Sequence, residues 1–380
     1  MQKIIKHKIK GKLAIWLKEF LNERKFKVLA NGTISDEEDV TSGVPQGTVL
    51  AAILFLIMIS DIDEKVKESI VRCFADDTRV SKVIECEEDP HKMQEDLNAI
   101  YEWANNNKMK FNTDKFEYIS HGEMEGVPNE AYKNPEGISI VSDDTVRDLG
   151  VICNNNLLFK EHIDNIVMKS KVMSGIILRT FTTRERNVML QLYSTYIRSR
   201  LEYCSIVWSP SLQGDINKVE RIQKSFTARI EGMENKNYHE RLKELKMYSL
   251  ERRRERYMII YAWEMVEGRR ENILNLRTRK IGRTRRMIQD KIPWAINGRR
   301  IKKSDRTRVY NCTTKKMERL FNHLPSKIAN LTGVTTDTYK KHLDDWLKKI
   351  PDTPKIDDYA RLVEKESNSI IHQAATLNEV

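Results

Sequence analysis

The segment Ile70-Val71-Arg72-Cys73-Phe74-Ala75-Asp76-Asp77-Thr78-Arg79-Val80-Ser81-Lys82-Val83-Ile84 holds two β-prone runs separated by a pair of acids. The pattern predicts a hairpin, with strands over Ile70 to Ala75 and Thr78 to Ile84 and with Asp76 and Asp77 at its tip. Two adjacent carboxylates repel by several kcal/mol at the low effective dielectric of a cleft, so keeping both ionised there calls for a bound cation. By itself the dipeptide is more often an ordinary exposed turn, since Asp favours turns for its own hydrogen-bonding reasons. Its surroundings decide between the two.

Upstream, Ser42-Gly43-Val44-Pro45-Gln46-Gly47 crowds glycines and a proline, and Val49 onward is apolar on nearly every face until Asp61 and Asp63. This predicts a glycine-rich loop feeding a buried helix. Earlier still, Leu13, Trp16, Leu17, Phe20 and Leu21 recur at helical spacing, and a strand from Lys27 to Ala30 turns at Asn31-Gly32. Downstream, Asp89-Pro90 opens a helix with Met93, Leu97, Ile100, Tyr101 and Ala104 on its apolar face. Phe116 to Ser120 and Arg147 to Cys153 are further strands. From about residue 159 the periodicity becomes helical, as in Ile216, Val219, Ile222 and Phe226. Amphipathic segments return around Met317 to Leu324 and Tyr339 to Leu347, and beyond Pro351 the chain is polar and expected to fray.

With 380 residues, 40% of them hydrophobic, the chain can bury a sizeable core in two or three domains. Its 66 basic and 55 acidic residues are unevenly spread. Residues 251–310 hold 19 Lys/Arg and 7 Asp/Glu, a balance of +12, while residues 34–100 hold 6 and 16, a balance of −10. That polarity suits a protein that gathers cations at one end and a polyanion at the other. The five cysteines lie far apart without zinc-ligand spacing, which implies a reduced, intracellular setting, nucleus or cytoplasm. No apolar run approaches the ~20 residues of a membrane span, and no membrane segment is expected.

A glycine loop, an apolar helix and an acid-tipped hairpin within one short stretch together resemble the palm of a reverse transcriptase. Ser42 to Gly47 is similar to the family's template-and-nucleotide loop, and Phe74-Ala75-Asp76-Asp77 to its metal-binding hairpin. Trp103 through Lys108, with Phe111, Asn112 and Lys115, resembles the helix-and-turn motif that follows. Leu149-Gly150-Val151 to His162-Ile163 resembles the primer-grip region of retrotransposon enzymes. Tyr203, Trp208, Pro210, Arg221 and Trp346 extend the likeness to the jockey-like non-LTR group across nearly the whole chain.

The resemblance implies template-directed DNA synthesis from RNA, with a DNA primer, deoxynucleoside triphosphates and two divalent metal ions, magnesium or in its place manganese. Asp76 would be the principal metal ligand and Asp77 a weaker ligand or support. Ser42, Gly43, Pro45, Gln46 and Gly47 would form the template and nucleotide site, with Gln46 contacting template or nucleotide and the glycines admitting close backbone approach. Lys115 would stand near the leaving pyrophosphate, although as a residue it reads equally as a solvated surface lysine. Phe74 is expected to pack under the hairpin.

In this family the strand bearing the first metal-binding aspartate lies just upstream of the helix that here begins at Gln2. The chain is therefore expected to be N-terminally truncated and inactive alone, because the earliest acid, Glu19, lies on an amphipathic helix and Asp36 to Asp39 lie in a hairpin arm, not on such a strand. A non-catalytic nucleic-acid-binding remnant of a retrotransposon protein is the alternative. Within the basic region, Arg252-Arg253-Arg254, Arg269-Arg270, Arg285-Arg286 and Arg299-Arg300 are interleaved with Tyr257, Trp263 and Trp294, a mixture suited to phosphate contact and base stacking. Arg252, Arg253 and Arg254 are the leading candidates, and Trp263 reads more readily as core. The expected fold is α+β, a partial polymerase palm with an antiparallel sheet and helices over residues 1–158. A helical thumb-like domain would follow over 159–268, a basic, partly helical region over 269–350 and a polar tail over 351–380.

Overall fold

The computed structural model describes residues 1–122, 132–291, 295–296, 299–300, 312–354 and 367–375, with side chains placed everywhere in these ranges except 295–296 and 299–300. Helices and small two-stranded ladders alternate, giving the expected α+β class. The chain divides into two compact units, Met1–Val146 and Arg147–Val380.

The first unit opens with α1 (Gln2–Lys6) and α2 (Lys12–Leu21). Strands β1 (Lys25–Phe26) and β4 (Glu38–Asp39) then pair outside an inner hairpin, β2 (Leu29–Ala30) with β3 (Thr33–Ile34). Asn31 and Gly32 both adopt positive φ between β2 and β3, as a tight two-residue turn requires. Helix α3 (Val49–Ile59) starts where the Thr48 hydroxyl accepts the Ala51 N–H, a side-chain N-cap. Leu54 packs with Ile4 of α1 and Leu17 of α2. The helix is not buried all round as its composition suggests. Val49, Ile53 and Leu56, at helical spacing, are half or more exposed, because the described neighbours cover one face only.

Strands β5 (Ile70–Phe74) and β6 (Asp77–Ser81) form a hairpin against α4 (Asp89–Asn106), with Ile62, Val71 and Ile100 as its core and Val80, Trp103 and Phe111 packed around them. A 3-10 turn at Thr113–Lys115 and the ladder β7 (Tyr132–Lys133) with β8 (Ser139–Ile140) complete this unit. Strand β9 (Thr145–Asp148), at the division between the units, pairs with β10 (Val151–Asn154).

The second unit has two cores. The first gathers α5 (Lys160–Thr180), α6 (Arg186–Leu192), the wide turn Tyr193–Arg198, α7 (Ser199–Glu202), α8 (Ser205–Trp208) and α9 (Gln213–Thr227) around Ile163, Tyr193, Trp208 and Phe226. Helix α10 (Tyr238–Glu244) leads to α11 (Leu250–Val266), whose far end enters the second core. There Trp263 stacks on Tyr339, centroids 4.2 Å apart, and its Nε1 donates to the Leu331 carbonyl at 2.8 Å. Strands β11 (Thr278–Ile281) and β12 (Thr284–Met287), the ladder β13 (Ala295–Ile296) with β14 (Arg299–Arg300), and α12 (Thr313–Asn322), α13 (Ser326–Ala329) and α14 (Thr336–Leu347) follow.

Beyond Pro351 the described residues are docked rather than frayed. Asp352 accepts the Ser249 N–H, and the Ile370 N–H at the start of α15 (Ile370–Ala375) donates to Glu255. These contacts reward ordering of a segment that looks polar in sequence because its partners are polar.

Candidate functional site

The hairpin that carries the acids is fastened by α4. Asp96, itself nearly buried, accepts the backbone N–H groups of Lys67 at 2.8 Å, Glu68 at 3.0 Å and Ser69 at 2.7 Å, fixing the chain as it enters β5. Burial opposes ionisation of Asp96, yet these N–H groups, Lys67 foremost, hold its carboxyl below the ordinary aspartate range. At the exit, Asp89 accepts the N–H groups of Glu85 and Cys86, and they hold its carboxyl far below that range. A third acid, Asp61, takes Lys3 Nζ at 2.6 Å and Trp103 Nε1 at 2.9 Å, tying the segment after α3 to α1 and α4. The acidic bias of residues 34–100 is thus partly structural, which counting charges cannot reveal.

Phe74 pairs with Asp77, leaving a two-residue turn of Ala75 and Asp76. Only Asp76 is at the tip; Asp77 is the first residue of β6, a correction of one position to the expected turn. Ala75 has φ +51°, a left-handed conformation that costs a non-glycine residue roughly 1–2 kcal/mol. Such strain persists where the surroundings over-determine it, and it is commonest at functional sites. Phe74 is 67% exposed rather than packed under the hairpin, since the core lies on the Val71 and Val80 side. Asp76 and Asp77 are both exposed.

In the loop, Gly43 and Gly47 take φ +80° and +83°, and nothing stands within 4 Å of where a Cβ would be at either. Backbone conformation, not crowding, therefore demands glycine there. Arg24 holds the Gly43 carbonyl at 2.5 Å, and the Thr48 hydroxyl donates to the Pro45 carbonyl at 3.0 Å. Gln46 and Ser42 remain exposed, and Pro45 is half-buried. Lys115 is exposed in the 3-10 turn; Phe111, four residues before it, shares the core that carries the hairpin.

Asp76 and Asp77 are hard oxygen donors of the kind magnesium prefers. Among the described residues no third His, Cys, Asp or Glu joins them to form a metal-binding group, so the donors present fall short of a two-metal site. No described helix is long and apolar enough to cross a membrane.

Residues 1–153 match the reverse transcriptase (RNA-dependent DNA polymerase) family. This part of the chain is similar to that family. The chain is 25% identical over 226 residues to a probable RNA-directed DNA polymerase from transposon X-element of Drosophila melanogaster. It is 27% identical over 237 residues to the RNA-directed DNA polymerase from mobile element jockey of the same species, and 26% over 235 to that of Drosophila funebris. These alignments cover 57–58% of this chain and 25% of each relative, so the chain spans about a quarter of the length of the relatives it matches. The resemblance to jockey-like reverse transcriptases is borne out.

The arginine run is corrected. Arg252 and Arg254 are buried in the helical unit at 0% and 2% exposure. Arg252 donates to the Pro351 carbonyl at 2.6 Å, and Arg254 lies among Glu220, Glu251 and Glu255. Arg253 is ion-paired with Glu202 and bonded to the Tyr257 hydroxyl. Three consecutive cations on a helix point in three directions, and here each meets an internal partner or charge. Arg269 lies over the Trp263 ring, Arg270 pairs with Glu264 and Arg285 with Glu267, while Trp294 and the side chains of Arg299 and Arg300 lie outside the described residues.

Proposed function

We propose that the first unit supplies the template-and-nucleotide loop and the acid-bearing hairpin of an RNA-directed DNA polymerase palm from a mobile element, and that the helical unit serves as its thumb-like companion. The observation that carries this reading is Asp76, exposed at the tip of a strained two-residue turn whose flanking strands are fixed by Asp96 and Asp89 of α4. Asp76 and Asp77 would hold divalent metal, magnesium or manganese, together with further donors. When bound, the metal would supply electrostatic stabilisation of a transferring phosphoryl group. Gln46, between two glycines in left-handed conformation, would contact template or incoming nucleotide, and Lys115 would offer positive charge towards a leaving pyrophosphate. RNA template, DNA primer and deoxynucleoside triphosphates are the partners, in nucleus or cytoplasm, where five free thiols stay reduced.

The test joins this chain to the adjoining upstream portion of the jockey relative and measures primer extension on RNA with magnesium. Extension that Asp76→Asn abolishes and Asp77→Asn reduces less supports the reading. Full activity in the Asp76→Asn fusion overturns it.

A further inference from the structure

The β11–β12 hairpin, Thr278–Met287, carries five cations within ten residues, three of them exposed, and none of the arginine pairs singled out from sequence identifies it as a unit. Its register sets Arg279 opposite Arg286 and Lys280 opposite Arg285, two like-charge pairs in adjacent rows. Directly opposed like charges destabilise a ladder. On β12 the charge is used internally. Arg285 reaches Glu267 at 2.5 Å and the Ala329 carbonyl at 2.9 Å, and Arg286 donates to the Leu324 carbonyl at 2.6 Å. Arg279, Lys280 and the turn residue Arg283 are exposed, and no acid pairs with them among the described residues.

The hairpin is also held rigidly. The Asn330 side chain bridges the Arg283 carbonyl and the Arg285 N–H, both at 2.7 Å, and the Asn322 side chain binds both the N–H and the carbonyl of Met287 at 2.7 and 3.1 Å. Two asparagines thus satisfy the outer edge of β12 as a further strand would, while Met287 is buried in the second core. Edges and core hold in place a strand pair whose own charges oppose it. Successive strand residues face opposite sides, so Arg279 and Lys280 flank the hairpin with Arg283 at its turn, and cations on a fixed scaffold lose little entropy on meeting a polyanion.

We propose that this hairpin, through Arg279, Lys280 and Arg283, is a contact surface for the sugar-phosphate backbone of nucleic acid. That the polyanion is nucleic acid rests on the polymerase reading; the surface itself does not.

The test is a salt titration of fluorescein-labelled single-stranded RNA binding to the full chain. The triple variant R279Q/K280Q/R283Q is compared with K341Q/K348Q/K349Q, which removes the same charge from within and just beyond α14. If each cation engages one phosphate of a single strand, the hairpin variant flattens the slope of log affinity against log salt by about 2 units and the control leaves it unchanged. The substituted side chains are exposed, and far-ultraviolet circular dichroism checks that both variants fold. An unchanged slope in the hairpin variant, equal flattening in both, or lost binding to phosphatidylserine vesicles with RNA binding intact overturns the proposal. Flattening that coexists with a fusion unable to extend primers removes the polymerase reading and leaves the surface standing; an active fusion with an unchanged slope does the reverse.

Discussion

The carboxylate of Asp96 on α4 accepts the backbone N–H of Ser69 at 2.7 Å, one residue before the strand that leads to the candidate catalytic acids. With Lys67 and Glu68 it satisfies three consecutive donors that have no ladder partner. The position of Asp76 therefore depends on a residue 20 places away on a helix, through main chain rather than side chain.

Removing that carboxylate should loosen the hairpin without touching the acids. Asp96→Ala strands three partly buried N–H groups, and the expected cost is about 2–3 kcal/mol. Urea unfolding of the full chain should show an earlier first transition, with a helical-unit transition that does not move. A shift below about 0.5 kcal/mol would mean that water replaces the carboxylate without loss.

The Ala75 turn gives a second expectation. Ala75→Val places a β-branched side chain at φ +51° and should destabilise the hairpin by about 1–2 kcal/mol, whereas Ala75→Gly should be near neutral, since relief of strain offsets added chain entropy. Hydrogen exchange of β5 and β6 amides reads both. Equal protection in the valine variant would show that the turn changes conformation freely.

For the arginine run, the structure reverses the sequence expectation. Arg253→Gln removes the closer of the two cations at Glu202 and leaves Arg198 at 3.8 Å, at a largely buried site, and a loss of about 2–3 kcal/mol in stability is expected, with the salt slope of RNA binding unchanged. Trp263→Ala should cost about 3–5 kcal/mol because it empties a fully buried stack on Tyr339. A flattened salt slope in a folded Arg253→Gln protein would return the run to the nucleic-acid path.

The hairpin, the loop and α4 are legible in sequence because their signals are local: alternation, paired glycines, and Asp-Pro at a helix start. The one-residue error at Asp77 arises because a two-residue turn and its register depend on φ at Ala75, which alanine does not advertise. Exposure of Phe74 and of the Val49, Ile53 and Leu56 stripe was illegible, since apolar character says what can be buried and not what comes to cover it. The arginines failed for a related reason. A run of cations looks solvated until long-range acids such as Glu202 and Glu220 are brought to it by the fold.

Those acids also make the helical unit pH-sensitive. Glu251 is buried at the start of α11, and burial, followed by the Glu255 carboxylate, pushes it up to about 7; Lys316 of α12 and Arg254 pull the other way, and Glu220 of α9 adds to the rise. An acid with a raised folded pKa keeps its proton in the folded chain when the unfolded chain has already lost it. The folded state therefore binds more protons between the ordinary glutamate value of 4.5 and about 7, and stability falls as pH rises through that window. Because the side chain is fully buried, the full effect is roughly 3 kcal/mol. The helical-unit urea transition should lie higher at pH 5.5 than at pH 8, and Glu251→Gln, which cannot ionise, should remove most of the difference and be the more stable protein at pH 8. Asp96 and Asp89 of the first unit are depressed instead, so their contribution is present at both pH values and is lost only as pH falls below the ordinary carboxylate range. A helical-unit transition equally stable at pH 5.5 and 8 would mean that Glu251 is solvated or paired more fully than its surroundings indicate.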